Sequence, residues 1–255
     1  MSLHWRKDQE SLSLLNGIVF LAAFTARSQA YAQALRQVGL LPEWTLTFGD
    51  RNKDLAANSY SVPRQEAGFD LFMPNLRESL SVSINEAGWP SRHVPQGNVN
   101  DSEVVSQLKA LNPKLVIYSG YGGQLVSADT LDCGAPFLHM HAGWLPDYRG
   151  STTVYYSWLE GNDCGVSALL LDPDIDKGPL VARRRYPSPP NGIDVDLIYD
   201  NAIRADLLVR VLVDFCDHGK LSLTDQPQDS GETYFVIHPV LKHIALLSGN
   251  HAGES

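Results

Sequence analysis

Apolar positions along this chain gather into short continuous runs, separated by polar turns and by segments with helical period. Residues 17–23, Gly-Ile-Val-Phe-Leu-Ala-Ala, form a run too short for a buried helix and partly β-branched, which predicts a buried strand. Ser28 is placed to cap the helix that follows, with Tyr31, Leu35 and Val38 at helical spacing. Residues 44–48 predict a second strand, 75–87 a helix and 93–95 a short strand. Asn100, Asp101 and Ser102 offer caps for a helix through Leu111, whose Val104, Val105, Leu108 and Leu111 share one face. Asn112-Pro113 stops it. Residues 115–119 give the clearest strand, with further strands at 137–141 and 166–171. After the breaker cluster 188–192 comes a long amphipathic helix at 194–215, then a short strand at 234–237 and a short helix beyond Pro239. Residues 1–16 read as a loose lead-in or short helix, and 51–67 as irregular.

Strands alternating with helices mean βαβ units and a mostly parallel α/β sheet flanked by helices. Residues 1–190 are expected to form the main domain. Residues 191–255 are too few for an independent core and are expected to pack on it as a short α/β appendage, whose polar surface leaves room for a homodimer. In such sheets ligands bind beyond the carboxyl ends of the strands. Two segments fall there, residues 120–125 and the run starting at His139.

Composition narrows the function classes. The chain carries a net charge of −9, which argues against a broad nucleic-acid surface. Its only dense basic run, Arg183-Arg184-Arg185, is expected on a solvated strand edge. No apolar run approaches the roughly 18 to 20 residues of a membrane helix, and no secretory leader pattern opens the sequence, so a cytoplasmic location is expected. Cys133, Cys164 and Cys216 are widely spaced and odd in number, giving neither a disulfide framework nor a zinc pattern, and read as reduced, buried small residues.

The stretch from His139 to Pro179 carries the candidate chemistry. His139 and His141 lie two apart on a strand and so share a face. Leu145-Pro146-Asp147-Tyr148-Arg149-Gly150 follows as a loop, and Asp172-Pro173-Asp174-Ile175-Asp176-Lys177-Gly178-Pro179 as a turn-rich acidic loop after the next strand. Two imidazoles and three carboxylates are thus expected to converge at one sheet edge. Such groups suit acyl transfer to an amine, where a proton leaves the amine and the carbonyl oxygen gains charge. A carboxylate beside the histidine fixes its tautomer and stabilises its charged form. No Gly-x-Ser-x-Gly elbow or activated cysteine is evident. A His-x-His pair also suits a zinc hydrolase, but it lies past the middle of the chain, with too little sequence after it for an eight-fold barrel.

A strand ending in x-x-His, then Leu-Pro-Asp-Tyr-Arg-Gly, then Asp-x-x-Ile-Asp-x-Gly-Pro resembles the folate-dependent formyltransferase family. The block from Asn112 to Leu125 is also similar to that family's strand and folate loop. The resemblance covers residues 100–182 well and 17–40 loosely. It implies a Rossmann-like fold, N10-formyltetrahydrofolate as formyl donor and a small-molecule amine as acceptor, with no metal. It places the family's catalytic His on His141, its Asp on Asp176, and its Asn on His139, a departure that still offers one donor nitrogen. Folate contacts are implied for Tyr121, Gly123, Gln124 and Leu125 and for Asp172 and Asp174. Arg149 either pairs with an acid or contacts substrate. Among members of the family, the short tail and acidic charge disfavour a tRNA acceptor. A nucleotide-linked amino sugar is the first expectation for the acceptor and a hydroxylated ornithine the second. A deformylase and a folate-binding protein without turnover are the alternatives.

Overall fold

The computed structural model describes residues 12–54, 71–227 and 230–248. The chain divides into two compact units, Met1–His139 and Met140–Ser255, and the division falls inside a strand.

The first unit opens with β1 (Ser13–Ala23), α1 (Ala26–Gln37) and β2 (Leu40–Phe48). It continues with α2 (Leu80–Glu86), β3 (Ser91–Val94), α3 (Ser102–Leu111), β4 (Leu115–Ser119), the short α4 (Ala128–Leu131) and β5 (Phe137–His141), which crosses into the second unit. Its strands lie in the order β3-β2-β1-β4-β5, all parallel. The expected strand at 17–23 is thus longer. Residues 13–15 pair with 40–42, and the register shifts between Leu15 and Val19 around Gly17, whose φ of 78° is open to glycine at little cost. Thr25, not Ser28, caps α1, accepting from Ser28 N at 3.2 Å. The helix expected at 75–87 begins only at Leu80, because Ser79 caps it and the Asp54 carboxylate takes Leu80 N at 2.9 Å and Ser81 N at 3.0 Å. Most of the irregular stretch 51–67 lies outside the described residues; Arg51–Lys53 form a single 3-10 turn.

The second unit adds β6 (Tyr148–Gly150), α5 (Thr153–Gly161), β7 (Asp163–Leu170), β8 (Leu180–Pro187), α6 (Asp200–His218), β9 (Glu232–Tyr234) and α7 (Pro239–Ser248). A π-turn at Val195–Tyr199 leads into α6. β5, β7 and β8 are neighbours, with β7 and β8 antiparallel, so the sheet is mostly parallel with seven strands and flanking helices, a Rossmann-like α/β fold. α6 packs on β7 and β8, so residues after 191 share the core of residues 140–190. The tail strand sits at Glu232–Tyr234, earlier than expected, because it pairs in parallel with β6 from Tyr148↔Glu232 to Gly150↔Tyr234. The three arginines of β8 are exposed as expected. Arg183 and Arg185 flank the Trp144 ring at 4.5 and 4.4 Å, and Arg185 pairs with Asp163 at 2.6 Å. All three cysteines are free thiols; Cys133 and Cys164 are buried, whereas Cys216 is exposed on α6. Among the described residues no helix is long and apolar enough to cross a membrane, and no group of three or more His, Cys, Asp or Glu side chains could hold a metal.

Candidate active site

β5 ends at His141, only 4% exposed, at the carboxyl edge of a parallel strand where this architecture places its ligands. Its two ring nitrogens face different partners. Nδ1 lies 3.4 Å from Asp176 Oδ2. Nε2 lies 2.7 Å from the main-chain oxygen of Tyr148, and since a carbonyl only accepts, Nε2 carries the proton of that bond. The Thr153 hydroxyl, at the start of α5, stands 3.4 Å from the same nitrogen and donates to Ala142 O. Gly143 leaves the space for this arrangement. A Cβ there would stand 2.5 Å from both His141 Nε2 and Tyr148 O.

Asp176 is held at both its carboxylate and its main chain. Its Oδ2 accepts from Gly150 N at 2.8 Å. Its main-chain oxygen accepts from Gln226 Nε2 at 2.9 Å, and the same amide nitrogen donates to Gly178 O at 2.7 Å. Its φ of 54° puts a non-glycine residue in the left-handed region, which costs on the order of 1 kcal/mol and persists where the surroundings over-determine it. Close packing sets the loop: a Cβ on Gly178 would meet Leu170 O at 1.8 Å, and one on Gly150 would meet Tyr234 O at 2.1 Å. β7, the acidic loop, β6 and the tail thus converge on one carboxylate and aim it at one imidazole.

The other expected residues fall elsewhere. Asp172 and Asp174 are exposed: Asp172 Oδ1 accepts from Asp174 N at 3.0 Å, while Asp174 Oδ2 stands 4.0 Å from Lys177 Nζ. Of the three carboxylates expected to converge, only Asp176 reaches the histidine. Arg149 is buried, and its guanidinium donates to Ser230 O, to Gln226 Oε1 at 3.4 Å and to Pro227 O at 3.5 Å. It therefore neither pairs with an acid in this network nor faces outward to a substrate; it braces the tail that carries Gln226. Gln226, Thr153 and the carbonyl of Tyr148 had no signal of their own in the sequence. Gly150, inside the Leu-Pro-Asp-Tyr-Arg-Gly motif, did.

In the first unit, His139 is half-buried on β5 with its ring 6.0 Å from the Tyr118 ring, tilted by 46°. The loop after β4 is pinned by Gln124, whose Nε2 donates to Gly97 O at 2.6 Å, and by Asn100, whose Nδ2 donates to Leu125 O at 2.9 Å. Tyr121 packs edge-on against Phe48 at 5.7 Å. Gly122 and Gly123 border open space, Gly123 with φ of 78°, and Leu125 is 61% exposed. An exposed apolar side chain beside bare backbone on a pinned loop suits a ligand with apolar faces and polar edges.

Comparison with known proteins fits this geometry. By sequence, the chain is similar to methionyl-tRNA formyltransferases. One from Roseiflexus sp. (strain RS-1) is 31% identical over 54% of this chain and 42% of its own length, and one from Trichlorobacter lovleyi 28% over 77% and 60%. The chain thus spans less than two thirds of the length of either relative. By structure, it is similar to a sugar N-formyltransferase from Shewanella sp. (TM-score 0.54, 14% identity, 93% of this chain and 89% of that one). It is also similar to an N-formyltransferase from Helicobacter canadensis solved with folinic acid and dTDP-3-aminofucose (TM-score 0.54, 14% identity, 85% and 70%). These structural likenesses share the fold. Residues 51–201, which hold His141, Asp176 and the loop after β4, match the profile of the formyl transferase family, and the chain belongs to that family.

Proposed function

We propose that this protein transfers a formyl group from N10-formyltetrahydrofolate to the amine of a small acceptor, with His141 and Asp176 as its catalytic pair. The observation that carries this reading is the buried His141–Asp176 contact of 3.4 Å at the carboxyl end of β5, braced by Gly150 and Gln226. The folate supplies an activated formyl carbon bonded to a nitrogen leaving group. The chain supplies the rest. The Tyr121–Leu125 loop binds the donor through backbone groups and Leu125, and Asp172 and Asp174 contribute exposed main-chain and carboxylate groups. His141 Nε2 exchanges the Tyr148 carbonyl for the reacting atoms. It donates to the formyl oxygen as charge develops there, and it relays the proton lost by the acceptor amine to the departing nitrogen. The new bond joins amine nitrogen to formyl carbon, and the bond that breaks joins that carbon to the folate. Asp176 faces Nδ1, orienting the ring and offsetting the positive charge it acquires. His139 supplies a second donor in place of the family's asparagine.

For the acceptor, the net charge of −9 favours a small molecule over tRNA, whose binding rests on phosphate neutralisation. A nucleotide-linked amino sugar is the proposed class. The methionyl-tRNA formyltransferase relatives favour a second reading, in which the acceptor is the amino group of a charged tRNA. The test is tetrahydrofolate release from the formyl donor, followed spectroscopically against nucleotide-linked amino sugars, hydroxyornithine, methionyl-tRNA and a no-acceptor control. Release with one amino sugar supports the proposal. Release only with methionyl-tRNA overturns the acceptor class. Release without acceptor indicates a deformylase, and folate binding without turnover by any acceptor overturns the catalytic reading.

A further inference from the structure

A polar cavity of about 140 Å3 lies in the first unit, at the carboxyl end of β2, beside the edge strand β3 and one face of α2. Its volume is the share of roughly four to five liquid waters, the scale of one small hydrated ion. Arg51, Arg92 and His93 line it together with the hydroxyls of Ser81 and Ser91 and the amide of Asn85. Three described carboxylates near these residues in sequence are engaged elsewhere. Asp54 caps α2, Asp50 accepts from Asn52 N at 2.9 Å, and Glu86 pairs with Arg36 at 2.8 Å. Among the described residues neither Arg51 nor Arg92 forms an ion pair; Arg92 instead reaches Gln107 Oε1 at 3.3 Å and lies over the Trp44 ring at 4.9 Å. His93 registers the resulting field: burial, and then the charge of Arg51, hold it below the ordinary histidine range. Thr47 fixes its ring. The Thr47 hydroxyl donates to Arg92 O at 3.2 Å and so accepts from His93 Nδ1 at 3.2 Å.

Two guanidiniums without an ion pair among the described residues, with hydroxyl- and amide-bearing side chains beside them, form the donor set of a tetrahedral oxyanion, since the guanidinium fork matches phosphate oxygens in pairs. We propose that this cavity binds a phosphate-type oxyanion, either free phosphate or the phosphoryl group of a small ligand. The site is independent of His141 and Asp176. Calorimetric titration of the full chain at fixed ionic strength, with inorganic phosphate and separately with a nucleoside diphosphate, tests it. Saturable phosphate binding is expected. It should weaken at least about tenfold in the Arg51→Ala/Arg92→Ala double variant, because hydrogen bonds to charged groups are lost. Lys109→Ala, which removes a surface charge elsewhere, should leave it unchanged. Both arginines are exposed, so circular dichroism should report an intact fold. Competition between the nucleotide and phosphate assigns the site to a phosphorylated ligand, and binding of phosphate alone assigns it to the free ion. Absence of saturable binding by either, or binding equal in the double variant, overturns the proposal.

Discussion

Replacing Gln226 by alanine removes three contacts from one buried point and leaves the proposed catalytic pair, His141 and Asp176, chemically intact. Two are donations from Nε2, to Asp176 O at 2.9 Å and Gly178 O at 2.7 Å; the third is acceptance from Arg149 at 3.4 Å. Each of the two short bonds is worth about 1 kcal/mol net, with a further cost for carbonyls left without partners. The expected loss of stability is therefore about 2–3 kcal/mol, inside the roughly 5–15 kcal/mol of a typical domain, so the variant should fold. The effect on catalysis should be larger than the effect on stability suggests. Asp176 occupies its left-handed φ only because its neighbours hold it there. Its carboxylate already stands 3.4 Å from Nδ1, so a small relaxation ends the contact. Misplacement by about 1 Å commonly costs on the order of a hundredfold in rate. Initial rates of tetrahydrofolate release should show kcat reduced between about tenfold and a hundredfold, with KM for the formyl donor nearly unchanged, as befits a positioning residue. Gln226→Glu keeps the shape and the arginine contact but turns an acceptor toward two carbonyls, so it should rescue neither rate nor stability. Wild-type kcat in Gln226→Ala, alongside the expected loss in urea denaturation, would show that the amide braces the fold alone and refute the positioning role.

His141→Ala and Asp176→Ala should each remove most turnover with the circular dichroism spectrum preserved; a near-wild-type rate in either sinks the role given to it. Gly143→Ala puts a methyl 2.5 Å from both His141 Nε2 and Tyr148 O, so it should cut kcat severely through displacement of the ring, readable as a shifted imidazole resonance. His139→Asn should retain or raise activity, and complete loss would show that the imidazole itself is essential there. Burial pushes the Tyr118 phenol up to about 12, against the opposing charge of Arg27. Its folded-state value thus lies above the unfolded one, so its contribution to stability is full below pH 10 and falls away as pH rises toward 12. Tyr118→Phe should flatten that alkaline slope, and an unchanged slope would count against the assignment.

Strands buried on both faces were plain in the sequence because their apolar runs carry no competing period: β4 coincides with its expected bounds at 115–119. Elements that depend on remote partners were not. The first residues of β1 include the exposed Leu14 and become strand only because β2 begins at Leu40. α5 begins at Thr153, after Thr152 in a left-handed conformation and without a side-chain cap, so no start signal announced it. In the candidate site, the meeting of His141 with Asp176 was legible because motif and residue type coincide. For Arg149 the motif left an acid partner and a substrate contact both open, because the three acceptors its guanidinium reaches lie far along the chain in the tail. Gln226 lies 50 residues from the carboxylate it holds, in a polar stretch with no periodicity of its own.

The departure at position 139 gains its meaning from this distribution of parts. His141, Asp176 and everything that fixes them, namely Tyr148, Gly150, Thr153 and Gln226, belong to the second unit and bond to one another. None of these contacts is made by residue 139 itself. Exchanging asparagine for histidine therefore leaves the proposed proton relay whole and alters only the second donor to the formyl oxygen. A single such donor is worth about 3–4 kcal/mol when lost from a preorganised site. The loss is less where another nitrogen donor takes its place. The imidazole of His139, whose ring lies beside that of Tyr118, is proposed as such a donor. On this argument the substitution tunes the rate of the proposed transfer rather than abolishing it, and His139→Asn changes kcat while the effects of Asp176→Ala and Gln226→Ala stay as large in that background as in the natural one.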